Sequence, residues 1–448
     1  MSFLYIDISK YCHFSPYPYL DISKSLSFQH FSISTYLYLD ISTLFPPIPP
    51  SRFCYCRFFS PCVSYFTVMK NLLILLGKKL IRLDWILVSA VVLLSSIGLL
   101  ELYSLSPSIG GGFFSSSIGD VFFIFRKQII FISIGLLLML CVAFVDCRVV
   151  RDKSGSIFMI FLLGIILLIA LIFWGSTISG SRSWFDLGSV NFGPVEMVKI
   201  TLILLLAKFF STRHVKSSSL RVILISLLYV ILPTILVALQ PDLGSAAILV
   251  LIWFGMMILS GIKKKHLLII LIVSLIIVSI MWMYFLKDYQ RDRVLSYLEP
   301  EKDPWGDGYN VVQSLAAISG GGFLGKGLGQ GEVVQLGFLP ARHTDFIFAS
   351  ICEEMGLLGG IVVIVLYCVI FWRLSILFLS TRDNFSLLIV GGVFTLFVSQ
   401  CFINLGINTG IIPVTGLSLP FVSYGGSGII SSFIAIGLVL SVGSQQTN

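Results

Sequence analysis

Apolar runs long enough to cross a bilayer recur along most of this chain, and few folds can accommodate that. No water in hydrocarbon satisfies backbone N–H and C=O groups, so a spanning segment must be a helix or part of a closed barrel. About 20 apolar residues, rising about 1.5 Å each, match the ~30 Å hydrocarbon core. Such runs lie near 84–104, 128–146, 156–174, 194–211, 222–239, 243–260, 267–286, 344–371, 385–407 and 420–442, ten in all. The pattern predicts an all-α polytopic membrane protein, a bundle of ten transmembrane helices with a long loop, 287–343, between the seventh and eighth. Composition agrees: 56% of the 448 residues are hydrophobic and 12% charged, whereas soluble domains average about 25% charged.

The formal charge of +8 does not point to nucleic acid. The cations sit in short connections: Lys78, Lys79 and Arg82; Arg148, Arg151 and Lys153; Arg213, Lys216 and Arg221; Lys263 to Lys265; Arg373 and Arg382. These loops alternate with poorer ones such as 105–120, which has no Lys or Arg. By the positive-inside rule both termini are cytoplasmic and the long loop is outside. Its six Lys/Arg and seven Asp/Glu nearly cancel. The nine cysteines show no metal-ligand spacing, and five of them lie in or beside apolar runs as small buried hydrophobes.

Residues 1–68 differ from the rest. Tyr-(Ile/Leu)-Asp-Ile-Ser occurs at Tyr5, Tyr19 and Tyr38, and Pro46, Pro47, Pro49 and Pro50 follow. The pieces are too short for a solenoid and lack the plan of a signal peptide. The segment MKNLLILLGKKLIRLDW from Met69 reads as a membrane-protein start, so 1–68 is expected to be a mis-called or disordered extension of a 69–448 membrane domain.

The richest chemistry lies between Asp303 and Gly360. Asp345 follows Arg342, His343 and Thr344 where a span begins. An acid there suits a helix N-terminus, and it equally suits a general base beside a cation and an imidazole. Partial desolvation would raise its pKa toward a useful range. Glu353 and Glu354, deeper in the same span, read as structural or conformational. Glu196 and Lys199 share a helix face as an ion pair. Trp184 lies in the preceding outer loop, where interfacial anchoring is the ordinary role. Gly320 to Lys326 fits G-x-x-x-x-G-K, but Gly327 stands where a P-loop has Ser or Thr, so a nucleotide site is rejected. Those glycines are read instead as permitting tight turns or close approach to a sugar or diphosphate. From Asn404 to Ser427, paired prolines with Asn, Ser and Tyr indicate irregular backbone, which a membrane tolerates only inside protein or along a cavity.

The segments DPWGDGYNVVQS, SGGGFLGKGLGQG, LPARHTDFIFASICEEMG and PVTGLSLPFVSYGGSG resemble the signature motifs of the SEDS family (shape, elongation, division and sporulation). QPDLGSA, GSRSWFDLG and the Pro194–Glu196–Lys199 pattern are similar too, and the likeness spans about 80–443. PVTG at Pro413 and GKG at Lys326 are closer to the RodA branch than to FtsW. The resemblance implies a polymerase of peptidoglycan glycan strands in the bacterial inner membrane, using lipid II and releasing undecaprenyl diphosphate. It implies that Asp345 is the catalytic base. It further implies substrate contacts from Trp184, Glu196, Lys199, Lys326, Arg342 and His343, from Gln313 and Ser314, and from Ser423 and Tyr424. No cofactor is implied beyond a divalent cation, Mg or Mn, at the leaving group; the metal ligands are unknown. The implied partners are a class B penicillin-binding protein and membrane lipids, with no nucleic acid. Two positions depart from the family pattern: Ala341 stands where it has Glu, and Gly193 and Val195 flank Pro194 where it has Gln and Ser. A lipid II flippase and a non-catalytic scaffold of the cell-wall machinery are the alternative readings.

Overall fold

A computed structural model describes residues 81–105, 118–178, 181–186, 188, 191–212, 220–280, 283–284 and 307–446. All of these belong to one compact unit, Phe66–Asn448. The Tyr-rich segment, the Met69 start and the 287–306 part of the long loop lie outside the described residues.

The chain is overwhelmingly helical. Its elements are α1 (Trp85–Ser104), α2 (Ile118–Phe144), α3 (Cys147–Asp152), α4 (Ser154–Trp174), β1 (Ser176–Ile178), β2 (Ser181–Asp186), β3 (Asn191–Phe192) and α5 (Pro194–Ser211). There follow α6 (Leu220–Leu239), α7 (Leu243–Leu259), α8 (Lys264–Ile280), α9 (Asp307–Gly320), α10 (Glu332–Gln335), α11 (Ile347–Ser380), α12 (Asn384–Asn408) and α13 (Gly426–Gln446). Among the described residues seven helices are long and apolar enough to cross a membrane: those of α1, α2, α4, α6, α11, α12 and α13. The other three expected spans fall on α5, which carries Glu196, Lys199 and Lys208, and on the 17-residue α7 and α8.

Local chemistry explains where several helices begin. Asp84 caps α1 by accepting from Leu87 N at 3.2 Å and is itself held by Arg373 at 2.7 Å. Asp242 caps α7 through Ser245 N at 3.0 Å, and Asp383 caps α12 through Ser386 N at 3.2 Å. Pro194 opens α5, where its missing N–H is no loss. The expected outer loop before α5 contains a small antiparallel sheet ordered β1-β2-β3, pairing Ser176 with Trp184 and Phe185 with Phe192. The apolar periodicity did not foretell it, because its strands are three, six and two residues long. Helices α12 and α13 are the most enclosed, α13 packing along α2, and α12 against α5 and α7.

Helix α11 departs most from expectation. The span was expected at 344–371, yet the helix starts at Ile347, ends at Ser380 and is broken at Gly356, where φ is 72° and ψ −170°. A break strands carbonyls on one side and N–H groups on the other. The glycine-rich loop after α9 supplies the replacements. Lys326 N and Gly327 N donate to the carbonyls of Glu353 and Glu354 at 3.0 Å each. Leu357 N and Leu358 N donate back to Gly322 O at 2.9 Å and Phe323 O at 3.3 Å. The two backbones approach so closely that a Cβ on Gly325 or Gly356 would collide with the other strand. Gly325 thus permits close approach to α11, and the positive φ of Gly322, Gly325, Gly327 and Gly329 gives the tight turns expected of this loop.

Gly356→Ala places a side chain in left-handed backbone against Gly325 N, a strain of about 1–3 kcal/mol before the collision is counted. The expected result is a clear fall in thermal unfolding temperature in detergent. Gly155→Ala, which meets nothing within 4 Å, leaves that temperature unchanged or higher.

Candidate active site

Asp345 lies in the turn between Leu339 and α11, not in the helix. Ala341 adopts a left-handed conformation, φ 50°, which turns its carbonyl to accept from Thr344 N at 3.0 Å, Asp345 N at 3.1 Å and Phe346 N at 3.3 Å. The irregular segment between α12 and α13 braces this turn. Ser423 Oγ donates to Thr344 O at 2.6 Å and accepts from Leu419 N at 2.8 Å, while Tyr424 N donates to His343 O at 2.9 Å. Gln128 on α2 holds Ser423 O at 3.2 Å. The Tyr424 ring meets the His343 ring edge-on at 6.0 Å.

Burial pushes the half-buried Asp345 carboxyl up to about 6, against the Thr344 hydroxyl, with Asp242 adding a smaller upward push. Burial also lowers His343, and the Arg342 guanidinium lowers it further, so the imidazole is neutral at neutral pH. Arg342 is lowered by burial, opposed by Glu354. One guanidinium nitrogen donates to Val334 O, which leaves the planar fork turned partly toward protein. The turn thus carries a base in the physiological range, a neutral ring and a cation within four residues.

A second polar zone adjoins through Asp242. Lys199 Nζ donates to Glu196 Oε1 at 2.7 Å, and the lysine is 1% exposed. Ser431 Oγ on α13 donates to Glu196 Oε2 at 3.4 Å. Trp184 on β2 packs on Gly193, whose Cβ, if added, would stand 2.9 Å from the ring. A small cavity of about 10 Å³, lined by Glu196, Gln400 and Ser432 together with Leu419, Phe421 and Ile429, has room for about one water.

The structure sends other expected site residues elsewhere. Lys326 bonds Glu353 Oε1 at 3.1 Å and Glu332 Oε2 at 3.2 Å. The Glu353 carboxylate also caps α10, accepting from Val333 N and Val334 N at 3.0 Å each. Glu354 accepts from Gln335 Nε2 at 2.7 Å and from the Ser104 hydroxyl. Both glutamates thus fasten the loop to α11, in line with the structural reading. Ser314 is fully buried, donating to Asn408 O at 2.8 Å. Gln313, one residue earlier, is half-buried on α9.

Glu101 escaped the sequence reading, and Asp242, Asn404 and Asn408 entered it only inside longer stretches, with no role of their own. Asp242 appeared only within the QPDLGSA segment, although an acid beside proline at a span junction was a usable signal. Glu101 on α1 is fully buried, and neither carboxyl oxygen has a hydrogen-bond partner among the described residues. Asn404 and Asn408, polar side chains one turn apart near the end of a span, both touch Asp345. Among the described residues no group of three His, Cys, Asp or Glu is arranged to hold a metal.

Glu353→Ala removes the acceptor of two backbone N–H groups and of Lys326. The expected loss is about 3–5 kcal/mol of stability, read by chemical or thermal unfolding. Glu101→Leu removes an unpartnered polar group, and is expected to hold stability level or raise it by about 1–3 kcal/mol.

A family model described as cell cycle protein, for FtsW, RodA and SpoVE, matches residues 84–448. The peptidoglycan glycosyltransferase MrdB of Escherichia coli K12 is 38% identical over 315 residues, 70% of this chain and 84% of that protein. Stage V sporulation protein E of Bacillus subtilis is 34% identical over 362 residues, 80% and 96% of the two chains. A chain in a structure of a peptidoglycan synthase complex that coordinates polymerization and crosslinking superposes with TM-score 0.68 at 31% identity, covering 81% of this chain and 98% of that one. The rod shape determining protein RodA of Thermus thermophilus gives 0.59 at 27% identity, with 82% and 98% covered. The family model matched over residues 84–448, with relatives at 34–38% identity, places this chain in the FtsW/RodA/SpoVE family of multi-pass membrane proteins, the SEDS family.

Proposed function

We propose that this protein polymerises peptidoglycan glycan strands from lipid II at the outer face of the bacterial inner membrane, with Asp345 as the general base. The observation that carries the reading is the Asp345 carboxyl, half-buried and raised to about 6 beside Arg342 and a neutral His343. Family membership and relatives named peptidoglycan glycosyltransferase support it. In the reaction Asp345 takes the proton of the acceptor sugar hydroxyl, and that oxygen bonds to the anomeric carbon of the donor. The bond from that carbon to the diphosphate oxygen breaks, and undecaprenyl diphosphate leaves with the electron pair. Arg342, which retains guanidinium N–H groups beyond the one on Val334 O, offsets the charge that grows on the leaving group. Trp184 and the Glu196–Lys199 pair shape the neighbouring polar zone for sugar or lipid.

The similarity to a synthase complex supports a class B penicillin-binding protein as the partner that cross-links the product. The MrdB likeness favours the elongation branch. The loop charges support cytoplasmic termini. The flippase alternative needs a polar path through the bilayer; Glu353, Glu354 and Lys199, the polar residues that would line one, are paired within the protein.

The test is polymerisation of labelled lipid II by purified protein, with and without a penicillin-binding partner, read as a glycan ladder on a gel. Asp345→Asn and Asp345→Ala, equally folded, are expected to lose about 10²–10⁴-fold in rate. Ladders of wild-type intensity from either variant would remove Asp345 from the mechanism.

A further inference from the structure

The first hydrogen bond of an α-helix beginning at Asp345 would join the carbonyl of Asp345 to the N–H of Ala349, four residues on. That bond is absent from the structure, and a side chain from another helix stands in its place. Asn408, near the end of α12, puts its carboxamide between the two groups. Its Nδ2 donates to Asp345 O at 2.9 Å, and its Oδ1 accepts from Ala349 N at 3.0 Å. Asn404, one turn earlier, gives Asp345 O a second donor at 2.9 Å and reaches Leu417 O at 2.7 Å. The two amides are joined, Asn408 Nδ2 donating to Asn404 Oδ1 at 3.2 Å, and both residues are wholly enclosed. Ser314 on α9 fixes the far side, donating to Asn408 O at 2.8 Å.

The arrangement has a mechanical consequence. A buried carbonyl and N–H that face each other across a helical turn close on one another unless something better is offered. Without the carboxamide, the cheapest way to satisfy Asp345 O and Ala349 N is to wind the turn into α11. That would rotate the Asp345 side chain about its own Cα and draw it away from Asp242 and Gly416, whose Cβ position is 3.9 Å from Oδ2. The strained Ala341, whose carbonyl gathers three N–H groups, would lose its partners in the same motion.

We propose that Asn408, assisted by Asn404, is a positioning residue of the polymerase: its carboxamide splints the start of α11 open and so sets the direction of the catalytic carboxyl. The proposal rests on Asp345 being the base. Asn408 touches neither reacting atom. It acts through the backbone of the residue that does, and through the desolvated seat that this backbone imposes.

The experiment compares Asn408→Ala and Asn408→Leu with wild type and Asp345→Ala, all as full-length protein with partner, on lipid II across pH. Leucine keeps the volume while deleting both hydrogen-bonding groups, so it answers even if the alanine variant folds poorly. The expected result is a fall in kcat of about 10²-fold, the scale of a misplaced catalytic group, with KM little changed. The acid limb of the kcat profile moves toward that of an ordinary aspartate. Asn408→Gln, which keeps the amide, recovers part of kcat. Unchanged kcat and acid limb in folded Asn408→Leu, with Asp345→Ala inactive, would overturn the splint alone. Activity persisting in Asp345→Ala would overturn the base and the splint together.

Discussion

A membrane helix that stops being helical must find new partners for its backbone, and the architecture around α11 follows from that requirement. Hydrocarbon offers no substitute donor or acceptor, so every partner has to come from the chain itself. At Gly356 the glycine-rich loop supplies two N–H groups and two carbonyls. At Asp345 the carboxamides of Asn404 and Asn408 take the place of the missing helical bond. Between those two repairs, 347–355 is a short helical rod held at both ends. The loop is pinned to it by Lys326, Glu353, Glu354 and Gln335, so the segment leading to Leu339, Ala341 and Arg342 has a fixed origin. Irregular backbone thus becomes a mount for the turn that carries Asp345, the proposed base.

Electrostatics follows the same division. Carboxylates that hold structure are supplied with donors: Glu353 has Lys326 and two backbone N–H groups, and Glu196 has Lys199 and Ser431. Asp345 is treated differently. Its backbone is tied on both sides, whereas its carboxyl is half-buried near another acid, which raises its proton affinity into the range a general base requires. Burial of His343 beside Arg342 keeps the neighbouring ring uncharged, so it does not form an ion pair that would lower Asp345 again.

Much of this was legible in the sequence. Seven of the ten expected apolar runs fall on helices long and apolar enough to cross a membrane, because bilayer thickness sets their length, and Asp345 stood out because an acid at a span boundary is rare. The motifs around Asp345, Lys326 and Pro413 pointed to the family. What stayed hidden depends on partners distant in the chain. Lys326 looked like a substrate contact, because nothing local reveals that Glu353, 27 residues on, lies beside it once α11 breaks at Gly356. Ser423 and Ser314 looked like ligand groups, yet each is consumed by a backbone carbonyl, Thr344 O and Asn408 O. The small sheet at Trp184 was invisible because strands of two to six residues carry no periodicity. Asn404 and Asn408 did leave a signal: two amides on one face at the end of a span need buried partners.

A base working from a desolvated seat leaves its mark on the pH dependence of polymerisation, and measuring that dependence for the wild-type protein tests the role of Asp345 most directly. A base acts in its unprotonated form, so a raised pKa moves the acid limb to higher pH. Activity should therefore rise with pH through a midpoint near 6. A midpoint near about 4, where an ordinary exposed aspartate titrates, or a rate independent of pH across this range, would contradict it.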